Sequence, residues 1–87
     1  MDRDAFVSAL TAEGFTEFVL VMREAGELDT HTHPFEAKAL ILEGEIYIRA
    51  DGAERVYRPG DTFHLAANAP HTERYGPQGV RYLVARR

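Results

Sequence analysis

The sequence predicts an all-β sandwich or barrel with one short N-terminal α-helix, and three observations lead there. Beyond Gly14 most of the chain divides into short apolar runs, such as Phe15 to Arg23, Lys38 to Leu42 and Val80 to Ala85. Turn-forming groups separate them: Ala25-Gly26-Glu27, Asp51-Gly52 and Pro59-Gly60-Asp61. One run, Glu45 to Ala50, alternates with the period of a strand, placing Ile46 and Ile48 on one side and Tyr47 and Arg49 on the other. Many short strands with regular turns make a sandwich or a closed barrel.

The helix comes first. Residues 4–13 (DAFVSALTAE) carry Phe6, Val7 and Leu10 on one helical face. Asp2 or Asp4 supplies an N-cap and Gly14 stops the run, so the segment is expected to cover one end of a sheet. The chain reads as one domain over residues 1–87, with the helix in 1–14 and the barrel in 15–87. Lys38 to Leu42 is apolar on both faces, as a strand within a two-sided core would be. Asp51-Gly52 is the strongest hairpin signal, because both positions tolerate positive φ, and Glu54 to Arg58 returns from it. Thr62 to Leu65, His71 to Tyr75 and Val80 to Ala85 complete a set of about seven strands.

Composition narrows the function. Eighty-seven residues give a small core, for which a bound metal or a dimer partner is a natural supplement. Net charge −4 argues against nucleic acid or an anionic membrane surface as partner. With no cysteine, disulfides, thiolate catalysis, Fe–S clusters and Cys-type zinc sites are excluded. No apolar stretch approaches the ~20 residues of a membrane span and the acidic start is unlike a signal peptide, so a cytoplasmic protein is expected.

The stretch THTHPFEAKALILEGE, residues 30–45, carries the chemistry. On a strand, side chains at i and i+2 share a face, so His31 and His33 can reach a common centre. His71, opening the run HTERY, is the third imidazole if that strand lies opposite. Three neutral imidazoles suit a divalent transition metal such as Fe, Mn, Ni or Zn, with a position left open. His64 lies between Phe63 and Leu65, whose alternation directs them to the core, so His64 should point outward.

Together these residues resemble the cupin family, over residues 26–85. His31-Thr32-His33 matches the HxH pair of the first cupin motif, and LILEGE, ending at Glu43-Gly44-Glu45, matches its closing turn. In the second motif Pro59-Gly60-Asp61 matches the start, and Ala66, Asn68 and His71 fall at its spacings. The resemblance implies a double-stranded β-helix (jelly-roll) barrel with a metal in its mouth, in a family whose members are often dimers. The departures are specific. Ala37 stands where the cupin glutamate ligand belongs, Gly26 is displaced toward His31, Ala66 replaces a proline and Tyr75 an asparagine.

The fourth ligand is therefore open. Water ranks first, then Glu73, then Glu36. Glu73 is at i+2 from His71 and shares its face in an extended strand. Glu36 is out of phase with His33 unless Pro34 introduces a bulge. Lys38 is expected to turn away from a cation and pair with Glu36. An open metal position favours a small anionic ligand, with Glu73 or Glu36 as base and Tyr75 as hydrogen-bond donor; Glu73 and Tyr75 are thus the candidate catalytic residues. Tyr47, Tyr57 and Tyr82 read as core or interface aromatics. Two functions follow: a metal-dependent enzyme of oxygenase or isomerase type, or a non-catalytic sensor or accessory module that binds a small molecule or metal. A homodimer is expected, built from Lys38–Leu42 and the N-terminal strand.

Overall fold

The computed structural model describes all residues from Met1 to Arg87. A helix α1 (Arg3–Ala12) precedes six strands: β1 (Glu17–Arg23), β2 (Gly26–His31), β3 (Ala37–Ala50), β4 (Ala53–Tyr57), β5 (Thr62–Leu65) and β6 (His71–Arg86). All pairings are antiparallel.

Two long, bent strands organise the barrel. The first half of β6 pairs with β2 and with the second half of β3, whose other edge carries β4. The second half of β6 pairs with β1 and with the first half of β3, whose other edge carries β5. Two four-stranded layers therefore share β3 and β6, which is the jelly-roll arrangement the sequence led us to expect. The expected count of about seven strands is corrected to six. Lys38–Leu42 and Glu45–Ala50 are one strand, as are His71–Tyr75 and Val80–Ala85, while a further strand, β2, starts within the expected Ala25-Gly26-Glu27 break.

Glycines make the bends possible. Gly44 and Gly79 have φ of 73° and 72°, and a Cβ on Gly44 would overlap the Gly79 carbonyl. Register shifts flank Gly44, so the inward set in β3 changes from Ala37, Ala39 and Ile41 to Ile46 and Ile48. Bulges reset the alternation in this way. In β6 the inward set changes likewise, from His71, Glu73 and Tyr75 to Val80, Tyr82 and Val84. The Asp51-Gly52 hairpin forms as expected, with φ of 53° and 78° and Ala50 opposite Ala53.

The core has two parts. Inside the barrel Ala39, Ile41, Ile46, Phe63, Tyr82 and Val84 pack together. Outside it, Leu40, Leu83 and Ala85 are covered by Phe6, Leu10 and Phe15. This explains why Lys38–Leu42 is apolar on both faces: one face looks into the barrel, the other meets α1. Asp2 caps α1 by accepting from the Ala5 amide at 2.8 Å. The helix thus covers a sheet face of its own chain, and Leu40, 1% exposed, is not available to a dimer partner. That corrects the expectation for Lys38–Leu42. No helix is long and apolar enough to cross a membrane.

Candidate metal centre

β2 and β6 run antiparallel, with Leu28 opposite Glu73 and, after a register shift, His31 opposite His71. His33 lies just past the end of β2 rather than on a strand, so simple alternation does not place it. It is held instead by stacking on Phe35, ring centroids 5.1 Å apart. His31, His33, His71 and Glu73 each direct a donor atom to one spot, all within 4.8 Å of one another. His71 and Glu73 are 2% and 8% exposed.

Hydrogen bonds from the far side of two rings fix what they present to the centre. His31 Nδ1 lies 2.8 Å from the Asp29 carbonyl, and His71 Nδ1 lies 3.0 Å from that of Ala69. A carbonyl oxygen only accepts, so both Nδ1 atoms carry protons. In the neutral rings Nε2 then offers a lone pair. His31 Nε2 and His71 Nε2 stand 3.0 and 3.1 Å from the same oxygen, Glu73 Oε2, which is also an acceptor when ionised. Only the His71 contact has hydrogen-bond geometry, which a proton on Nε2 would complete. His31 Nε2 is buried and has no hydrogen-bond partner, because its contact with Glu73 is short but misdirected. Acceptors this close need positive charge between them, supplied by protons or by one cation. Donors bonded at about 2.0–2.2 Å to a single ion stand roughly 3 Å apart, so the residues fit a metal.

The surroundings support that set. Tyr75 donates from its hydroxyl to the other carboxylate oxygen, Glu73 Oε1, at 3.0 Å. Burial, followed by the Glu73 charge, raises the Tyr75 phenol above its ordinary value, which keeps it a donor. Burial first, then the facing His31 and His71 rings, lower His33 below its ordinary value, so it favours the neutral form that ligates.

The remaining candidates sit elsewhere. Glu36 accepts from Arg87 Nε at 2.8 Å and lies 2.7 Å from His64 Nε2, and it is not among the residues whose donor atoms converge. Those two partners hold its carboxyl below the ordinary range, Arg87 chiefly. Lys38 pairs with Glu13 at 2.7 Å, not with Glu36, because its side chain leaves the outer face of β3 toward the end of α1. His64 points outward as its alternation indicates. Tyr82 is buried inside the barrel, while Tyr47 stacks under Arg74 at 3.8 Å.

The cluster opens into a cavity of about 90 Å³ inside the barrel, lined among others by Val21, Leu28, Phe63 and Leu65. Two arginines, Arg23 and Arg86, also line it and were not foreseen. The signal was present: Arg23 continues the inward series Val19, Val21 along β1, at the end of a run read only as apolar. A larger concavity, about 410 Å³, lies around Met22, Arg23, Glu43 and Arg81; it shares Arg23 with the cup and contains no histidine.

The sequence profile of the cupin domain matches residues 18–84. The chain belongs to the cupin family. Solved cupin-fold structures superpose on it. The Clostridium difficile EutQ protein does so with a TM-score of 0.69 at 12% identity, covering 79% of this chain and 53% of that one. For an RmlC-like cupin from Shewanella frigidimarina the values are 0.64 and 23%, with 80% and 65% covered. For the Schizosaccharomyces pombe Cnp3 cupin domain they are 0.70 and 19%, with 83% and 58% covered. This cupin thus spans little more than half of the EutQ and Cnp3 chains, and at these identities the likeness speaks for the fold alone. No curated protein matches the chain.

Proposed function

We propose that this cupin holds one divalent transition metal through His31, His33, His71 and Glu73, and presents it to a small anionic ligand in the barrel. The observation that carries the reading is the pair of Nε2 atoms 3.0 and 3.1 Å from one carboxylate oxygen, with His31 Nε2 buried and unpartnered. Glu73 takes the role that Ala37 cannot fill, reaching the centre from β6 instead of from β3. When bound, the metal supplies Lewis-acid or redox chemistry. His31 and His71 would be oriented by their backbone partners and Glu73 by Tyr75, which is a positioning residue. Partners outside the ligand set normally matter to a metal site by about 10–100-fold in affinity or activity.

One observation favours a binding module over an enzyme that depends on side-chain acid–base catalysis. Glu73 faces the histidines, Glu36 is tied to Arg87 and His64, and Tyr75 keeps its proton, so no free base lines the cup. Chemistry at the metal itself, of the oxygenase or isomerase type, remains compatible with the same cup. A homodimer is the matching proposal for assembly. It is supported by Leu20 and Met22, 45% and 68% exposed on β1, whose outer edge pairs with no other strand.

Equilibrium dialysis of the metal-stripped protein against Fe(II), Mn(II), Ni(II) and Zn(II), followed by elemental analysis, tests the reading. About one ion per chain is expected for at least one metal, lost in His31→Ala, His33→Ala and His71→Ala and kept in His64→Ala. Wild type that returns metal-free from all four would overturn it.

A further inference from the structure

The two arginines of the cup differ in one respect. Arg86 is ion-paired: its Nη1 lies 3.2 Å from Glu17 Oε1 and its guanidinium sits 4.8 Å from the Phe35 ring, while its buried Nε has no hydrogen-bond partner. Arg23, exposed at the end of β1, forms no ion pair; besides a long 3.5 Å contact from Nη1 to the Met22 carbonyl, its side chain reaches the Tyr75 hydroxyl. That hydroxyl in turn holds Glu73. A guanidinium without an ion-pair partner thus stands one side chain away from the carboxylate of the proposed metal set, lining both this cavity and the neighbouring concavity of about 410 Å³.

Charge and size then select the ligand. With a divalent ion, three neutral imidazoles and one carboxylate, the centre carries a net positive charge, and Arg23 adds another. Both border a space of about 90 Å³, far below the ~300 Å³ of a drug-sized site, with Arg23 at its exposed side. The walls between are apolar: Val21, Leu28, Phe35, Phe63, Leu65 and Val84. A planar anion with a short carbon skeleton meets all these conditions, and a guanidinium fork matches a carboxylate in two parallel hydrogen bonds.

Resting on the metal reading above, we propose that the cup takes a compact carboxylate bearing an adjacent oxygen donor, an α-oxo or α-hydroxy acid, and that Arg23 receives its carboxylate. Arg23 is the specificity-determining residue. It fixes the charged end while the neighbouring oxygen faces the metal centre, and the apolar walls limit the length of the tail.

The test uses the full chain reconstituted with Co(II), whose visible absorption reports on its surroundings, and pyruvate as the probe. Co(II) affinity is measured first, separately, for wild type, Arg23→Gln and Arg55→Gln, the last removing an exposed charge on β4. Pyruvate should then shift the Co(II) spectrum of wild type and Arg55→Gln with the same Kd. Arg23→Gln should weaken that Kd at least tenfold with Co(II) affinity unchanged, and Arg23→Lys should fall between. Equal pyruvate Kd in wild type and Arg23→Gln would overturn the role of Arg23. No response in wild type, or inorganic phosphate binding as tightly as pyruvate, would overturn the ligand class. Failure of wild type to bind Co(II) at all would defeat the metal reading itself.

Discussion

His31 Nε2 and Glu73 Oε2 lie 3.0 Å apart across the β2–β6 pair, buried, with no hydrogen bond between them. The proposed metal centre rests on that contact. A lone pair and a carboxylate brought together by two strands are stable only with positive charge between them, and desolvating them without it is costly.

Glu73→Gln removes the one anionic donor of the cluster. Metal affinity should fall about a hundredfold, equivalent to roughly 2.7 kcal/mol. Glu36→Gln, which touches only Arg87 and His64, should leave affinity unchanged. Parallel metal titrations of the two variants decide this, and Tyr75→Phe should lie between them.

Because binding selects the folded chain, metal should stabilise it. At a free metal concentration a hundred times Kd the gain is about 2.7 kcal/mol. For a domain of this size that raises Tm by roughly 10–20 °C. Scanning calorimetry with and without a chelator should show the shift in wild type and His64→Ala, and its absence in His71→Ala.

Acid should release the metal, since ligating imidazoles must be unprotonated. His33, held below its ordinary 6.5 by burial and by the facing rings, favours its neutral form as pH falls past that value. In the metal-free chain the same depression works against stability. Below 6.5 the unfolded chain takes up the proton first, so folding stability declines with acidification. His33→Gln should flatten that decline in denaturant titrations taken across the acid range.

The alkaline limb has the opposite source. Burial, then the charge on Glu73, raises the Tyr82 phenol above its ordinary 10.0. The folded chain therefore holds this proton more tightly than the unfolded one. The associated stability is complete below pH 10 and is lost as pH rises toward the folded value. Tyr82→Phe should remove part of the alkaline loss of stability, read as a smaller fall in the denaturation midpoint above pH 10.

Gly44 tests the bend. Its positive φ and the Gly79 carbonyl against it leave no room for a methyl group. Gly44→Ala should cost about 2–4 kcal/mol of stability, whereas Gly52→Ala, at an open hairpin tip, should cost about 1 kcal/mol.

The fold was legible where local chemistry is strong. Asp51-Gly52 makes its hairpin and Asp2 caps the helix. Strand number was not legible: the continuity of β3 through Gly44 and of β6 through Gly79 is decided by neighbouring strands, and a glycine reads locally as a break. In the site, the Glu73 parity argument followed from regular extension after His71. His33 joins the cluster as parity with His31 led us to expect, but for another reason than alternation: it lies beyond β2 and is placed by Phe35. Lys38 was assigned the wrong partner because Glu13 lies distant in sequence, reached only once α1 folds over β3. Arg23 was hidden by its apolar neighbours, although it shares their inward phase.

The most direct test of the metal centre is anomalous diffraction from crystals of the reconstituted protein, with data at the absorption edge of the added element. A peak is predicted within bonding distance of His31 Nε2, His71 Nε2, a His33 ring nitrogen and a Glu73 carboxylate oxygen. A featureless map at that spot, with the three rings still converging and the ion bound elsewhere or not at all, would contradict it.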